Sequence, residues 1–121
     1  TAPDIVCDLP TLPQAALIYR LSGDYNPLHA DPAYAQKSGF KMPILHGRCN
    51  LAIAGHALLK ACCDYDSTRL KSMECRFSSP VYPGETIRTE MWRDGSRVLF
   101  RSTVPARGVT VINNGQAEIS A

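Results

Sequence analysis

Residues 47–63 read GRCNLAIAGHALLKACC, and this stretch decides the architecture. Alanine and leucine favour helix and no proline interrupts the run. Apolar residues fall on nearly every side of a 3.6-residue wheel, with Asn50, His56 and Lys60 the main polar interruptions. A helix that is apolar all round belongs inside protein. After it come stretches rich in strand formers, at about 68–79, 85–93, 96–104 and 108–119. Tyr82-Pro83-Gly84, Asp94-Gly95-Ser96 and the segment 105–108 mark turns, the second with the Asp-Gly signal of a tight hairpin. Asn113-Asn114-Gly115 reads as a bulge in the last strand, because too few residues remain for a further partner strand. The pattern predicts an α+β fold in which a mostly antiparallel sheet curls around one central hydrophobic helix. The outer face and edges of such a sheet still need cover, which points to a second similar domain.

Upstream of the helix the elements are short. Residues 4–9, DIVCDL, carry a weak strand signal. Thr11 and Gln14 have capping-box spacing, with Pro13 tolerated in the first turn, and predict a helix over about 12–22 ended by Gly23. Asp31 and Pro32 read as the N-cap and first residue of a second short helix that ends at Gly39. Lys41, Met42 and Pro43 then bring the chain back extended.

At 121 residues the chain is long enough for one domain, 1–121, with a real core. Hydrophobic residues make up 45% and charged ones 20%, without blocks, which excludes a disordered segment. The net charge is only +2 and the basic residues are scattered, so no nucleic-acid partner is expected. The apolar run 51–59 is far short of the roughly 20 residues a membrane span needs. Five cysteines, an odd number without CxxC spacing, argue against a disulfide framework and for a reducing compartment.

The chemistry concentrates in LSGDYNPLHADPAYA, residues 21–35. Asp24, Asn26 and His29 lie within six residues on a segment that Gly23 and Pro27 keep from being regular helix. A carboxylate and an imidazole together can grip a water and move its proton near neutral pH. The alternative is a loop of Asx turns with a surface histidine. Asp24-x-Asn26 imitates the start of a calcium loop, but His29 stands where glycine is needed and Ala35 where glutamate is, which excludes an EF-hand. His29 and Asp31 lack further clustered ligands, so no metal site is expected. Gly47, at the entry to the apolar helix, offers an unpaired amide at the positive end of a helix dipole, a ready oxyanion site. Its alternative is a glycine required only for packing. His46 and His56 read as packing or structural hydrogen-bonding residues.

The run from Tyr19 to His29, YRLSGDYNPLH, with Ala35 six residues on, resembles the signature of the MaoC-like, (R)-specific enoyl-CoA hydratases, called hydratase 2. Pro43-Ile44-Leu45-His46-Gly47, and the stretch from Phe77 to Pro83-Gly84-Glu85, are similar to that family as well. The resemblance implies a hot-dog fold and reversible syn addition of water to a trans-2-enoyl-CoA, giving an (R)-3-hydroxyacyl-CoA. Carried over, Asp24 and His29 form the catalytic pair, Asn26 helps to hold the water, and the Gly47 amide binds the thioester oxygen. No cofactor is implied, since the CoA thioester is the substrate. The implied partner is a second hot-dog domain, either the N-terminal half of one polypeptide, which the Thr1 start suits, or a homodimer mate. Peroxisome and cytoplasm are both compatible. Lys41, Arg48, Arg88, Arg93, Arg97 and Arg107 are candidates for the CoA phosphates. A hot-dog thioesterase is the rival enzyme, but many of those carry a carboxylate on the central helix and this helix has none before Asp64. A non-catalytic acyl-CoA-binding or assembly subunit is the rival of another class.

Overall fold

The computed structural model describes residues 2–21 and 23–120. Along the chain run β1 (Ile5–Pro10), α1 (Ala15–Arg20), a 3-10 turn (Pro27–His29), α2 (Pro32–Lys37), α3 (Gly47–Cys62), a second 3-10 turn (Ser67–Arg69), β2 (Leu70–Phe77), β3 (Thr86–Asp94), β4 (Arg97–Val104) and β5 (Val109–Ile119). The strands form one antiparallel sheet in the order β1-β3-β4-β5-β2. Strand alternation decides its faces. Ile87, Thr89 and Met91 of β3 and Val98, Phe100, Ser102 and Val104 of β4 are buried. Ala54, Ala57 and Leu58 of α3 pack with Met91, Val98, Phe100, Ile112 and Ala117 in the main core. A second cluster, Leu45, Val81, Ile87, Val104 and Val111, lies under the loops that lead into α3. The curled antiparallel sheet with its long hydrophobic helix is the hot-dog fold expected from the sequence.

Two expectations need correction. The helix α3 is not enclosed on every side: Arg48, Ala52, His56 and Lys60, spaced by four, form an exposed stripe. One five-stranded sheet covers only one flank of a helix, and the polar interruptions collect on the other. The helix after Thr11 is also shorter than expected, and Gln14 makes no side-chain capping bond. The Thr11 hydroxyl is engaged elsewhere, donating to the Glu85 carbonyl at 2.7 Å and accepting from the Gly84 amide at 2.9 Å. A tertiary contact has displaced the local cap. Ser22, the last residue of the expected helix, lies outside the described residues.

Other local signals hold. The Asp31 carboxylate accepts from the amides of Ala33 and Tyr34, with Pro32 in the first turn, as an N-cap does. The bulge in β5 is present: Glu74 pairs with Gln116 but Arg76 with Asn113, and Asn114 has a φ of 51°.

The turn before β3 braces the entrance of α3. Arg107 forms a two-pronged ion pair with Glu85, at 2.6 and 2.9 Å, and also donates to the Pro80 carbonyl. Glu85 in turn accepts from the Tyr82 amide at 2.7 Å. Next to this clasp, Leu45 donates its amide to the Val81 carbonyl at 2.7 Å. The segment entering α3 is thereby held to the sheet.

Candidate active site

Three of the four expected site residues lie on the loop before α2 and the fourth begins α3; two cross-braces join these segments. The Ile44 amide donates to the Leu28 carbonyl at 3.3 Å, and the Ile44 carbonyl lies 2.8 Å from His29 Nδ1. A carbonyl only accepts, so Nδ1 carries the proton and the neutral ring keeps a lone pair on Nε2. Asn26 caps the 3-10 turn, its Oδ1 accepting from the Leu28 amide at 3.0 Å, which leaves its NH2 group for other partners. The Asp24 carboxylate accepts from the Asn26 amide at 3.3 Å and is otherwise half open to solvent.

Gly47 is the first residue of α3, where an amide has no intrahelical acceptor. A Cβ built on it would come within 3.3 Å of the Phe77 ring. The glycine therefore provides close clearance here; no unusual backbone angle demands it.

His46 was expected to serve packing and is indeed buried, at 1% exposure, but it also reaches the loop. Its ring stacks on His29 at 3.8 Å between centroids and meets Tyr19 at 4.5 Å. Its Nε2 lies 3.3 Å from the Asp24 carbonyl and 3.9 Å from the carboxylate. The sequence signals for this position were its place directly before Gly47 and its membership of the family-like run Pro43-Ile44-Leu45-His46-Gly47, neither of which assigned it a role. His56 sits on the exposed stripe, 3.4 Å from the Tyr65 hydroxyl, and Asp31 is occupied as a cap.

Asp24, His29 and His46 bring one potential metal-ligating atom each within 4.8 Å of one another, a clustering not foreseen. His29 Nδ1 is held by the Ile44 carbonyl and His46 Nε2 by the Asp24 carbonyl, which leaves His29 Nε2 and His46 Nδ1 as the free ring nitrogens among the described residues, while the Asp24 carboxylate is half open to solvent. His29 also lines an apolar depression of about 270 Å³ with Pro13, Ala16, Leu17, Met42 and Pro83. Larger depressions elsewhere include none of Asp24, Asn26, His29 or Gly47. Of the basic residues raised as phosphate contacts, Arg88, Arg97 and Arg107 are tied to Asp8, Asp94 and Glu85, whereas Lys41, Arg48 and Arg93 form no ion pair among the described residues.

Burial holds the His46 imidazole below its ordinary pKa of 6.5, only partly offset by its bond to the Asp24 carbonyl, and the neighbouring His29 adds to the lowering. The unfolded chain therefore binds a proton here that the folded one refuses. This stabilising share is complete above pH 6.5 and is lost as pH falls through the lowered value. Thermal midpoints should decline on acidification from pH 6.5 towards the carboxylate range, and His46→Leu should flatten that decline. An unchanged slope in the variant would assign the acid sensitivity to other groups.

The family model described as "MaoC like domain" matches residues 1–115. The chain is 50% identical over 110 residues to "Enoyl-CoA hydratase 2, peroxisomal" of Arabidopsis thaliana, covering 91% of this chain and 36% of the relative. It is 47% identical over 118 residues to "Peroxisomal multifunctional enzyme type 2" of Mus musculus, covering 97% of this chain and 16% of that protein. Among solved structures, the MaoC-like dehydratase from Phytophthora capsici superposes with a TM-score of 0.96 at 46% identity, covering 99% of this chain and 41% of that one. The chain thus spans well under half the length of these relatives.

Proposed function

The chain belongs to the MaoC-like domain family, and from that premise we propose that it carries the site for reversible (R)-specific hydration of trans-2-enoyl-CoA in fatty-acid metabolism. The observation that carries the proposal is the tautomer of His29. With Nδ1–H committed to the Ile44 carbonyl, Nε2 is a base, and it belongs to the same loop as the Asp24 carboxylate.

The steps follow from these groups. A water held between Asp24 and His29, with the Asn26 NH2 group as a third contact, attacks the β-carbon as His29 Nε2 takes its proton. The electrons of the double bond move through the α-carbon onto the thioester oxygen. The Gly47 amide at the start of α3 faces that developing charge, a contribution of roughly a hundredfold or more in rate. Return of a proton from the loop to the α-carbon, on the face that received the hydroxyl, restores the thioester and completes syn addition. No prosthetic group enters this scheme. Hydrolysis by a helix-borne carboxylate is disfavoured, since 47–62 contains neither aspartate nor glutamate.

The apolar depression beside His29 is the candidate start of the acyl path. A second hot-dog domain, from the same polypeptide or a mate, would complete it. Peroxisomal residence is favoured by the names of the relatives; among the described residues no helix is long and apolar enough to cross a membrane. The test is the loss of conjugated-thioester absorbance of crotonyl-CoA, run beside a free-thiol assay on the protein. Loss of absorbance without thiol release is expected. Thiol release would replace hydration by thioester hydrolysis, and silence in both assays that persists when the second hot-dog domain is supplied would reject the enzyme reading.

A further inference from the structure

We propose that His46 is a positioning residue that sets the catalytic loop and the start of α3 in one register, acting through the Asp24 backbone and the His29 ring. The inference rests on the hydration reading and adds to it a residue that touches neither substrate nor water.

The placement carries the argument. His46 is the N-cap of α3, with φ −60° and ψ 138°, so its backbone directly precedes the Gly47 amide. Its side chain turns away from that role and makes no capping bond. The ring lies instead between Tyr19 of α1 and His29 of the loop, in contact with both. Its Nε2–H points at the Asp24 carbonyl, 3.3 Å away. One side chain thus touches the residue bearing the carboxylate, the ring bearing the base and, through the main chain, the helix amide. A shift of about 1 Å among such groups costs on the order of a hundredfold in rate.

A packing role alone does not account for histidine here. With the proton on Nε2, Nδ1 is a buried acceptor without a partner among the described residues, and Asn50 Oδ1, one turn along the helix, is another. An unsatisfied buried nitrogen costs stability that a leucine of similar size would not. The groups facing the ring are Tyr19, Asp24 and His29, so the unpartnered Nδ1 is the cost of keeping an imidazole whose other nitrogen, Nε2, reaches Asp24.

His46→Leu and His46→Gln separate the roles, since glutamine places an amide NH2 near the Nε2 position and leucine has no donor. The leucine variant should melt at or above the parental temperature at pH 7.5 to 8, roughly where both histidine forms are neutral. It should lose about a hundredfold in kcat with KM within about threefold. The glutamine variant should regain at least about tenfold of that loss. Hydrogen exchange of the Leu28 and His29 amides, which bond to Asn26, should quicken in the leucine variant and return towards the parental rate with glutamine. A leucine variant with parental kcat and parental exchange, or a glutamine variant no better than leucine in either measurement, overturns the proposal. If the parent fails to hydrate crotonyl-CoA even with the second hot-dog domain supplied, the functional reading falls, and the exchange rates alone decide the role of His46.

Discussion

Replacing His29 by alanine is expected to lower kcat for hydration by roughly 10² to 10⁴-fold, the usual contribution of a positioned general base. The fold should survive. His29 is half-buried and its removal costs one hydrogen bond to the Ile44 carbonyl and one ring stack, together about 1–2 kcal/mol. The more telling variant is His29→Asn. Asparagine presents an NH2 group near the Nδ1 position and can keep the brace to Ile44, but it has no basic nitrogen to take a proton. Loss of activity in both variants, with native circular dichroism and a preserved melting transition, separates proton transfer from loop architecture. Parental turnover in the asparagine variant would remove His29 as the base and leave it a structural strut.

The largest effect on stability is expected at Gly115. This residue sits in the β5 bulge opposite Phe100 of β4, and it is buried. A Cβ placed there would lie 2.5 Å from the Phe100 carbonyl oxygen and 2.5 Å from its ring carbon Cδ2. The ring belongs to the core and the oxygen to a paired strand, so neither yields without opening the ladder. Gly115→Val should therefore destabilise by about 3 kcal/mol or more, the upper end of overpacking effects. Thermal or urea unfolding reads this directly, and for a chain of this size the midpoint should fall by about 10 °C. A shift of less than about 2 °C would mean that the bulge relaxes around the new side chain.

Much of the sheet was legible because its signals are local. The Asp94-Gly95 hairpin, the alternation of Val98, Phe100, Ser102 and Val104, and the bulge glycine each act over a few residues. Asp31 was legible for the same reason, since a cap bonds to amides two and three residues ahead. What escaped depends on contacts across the chain. The Thr11 hydroxyl forgoes Gln14 for Gly84 and Glu85, more than seventy residues away. The open flank of α3 is set by how far one sheet reaches round a helix, which no wheel of residues records. His46 carried an ordinary signature for a buried polar residue. Only the return of the chain through Ile44 and Leu45 lays its ring against His29. Asp24, Asn26, His29 and Gly47 were singled out by residue type and by family resemblance, and the fold brings the loop and the helix start together through the Ile44 braces.

The outer strand β2 decides what the margin of the sheet can recruit. Its pairing with β5 slips twice, between Leu70 and Ser72 and between Glu74 and Arg76, and Lys71, Glu74 and Arg76 are exposed along it. A smooth, uncharged strand at this margin would recruit any extended chain it met and seed aggregates. An irregular margin studded with charge is a poor template for strangers. An extended segment pairing here would have to match those side chains and the broken register as well as the main-chain hydrogen bonds.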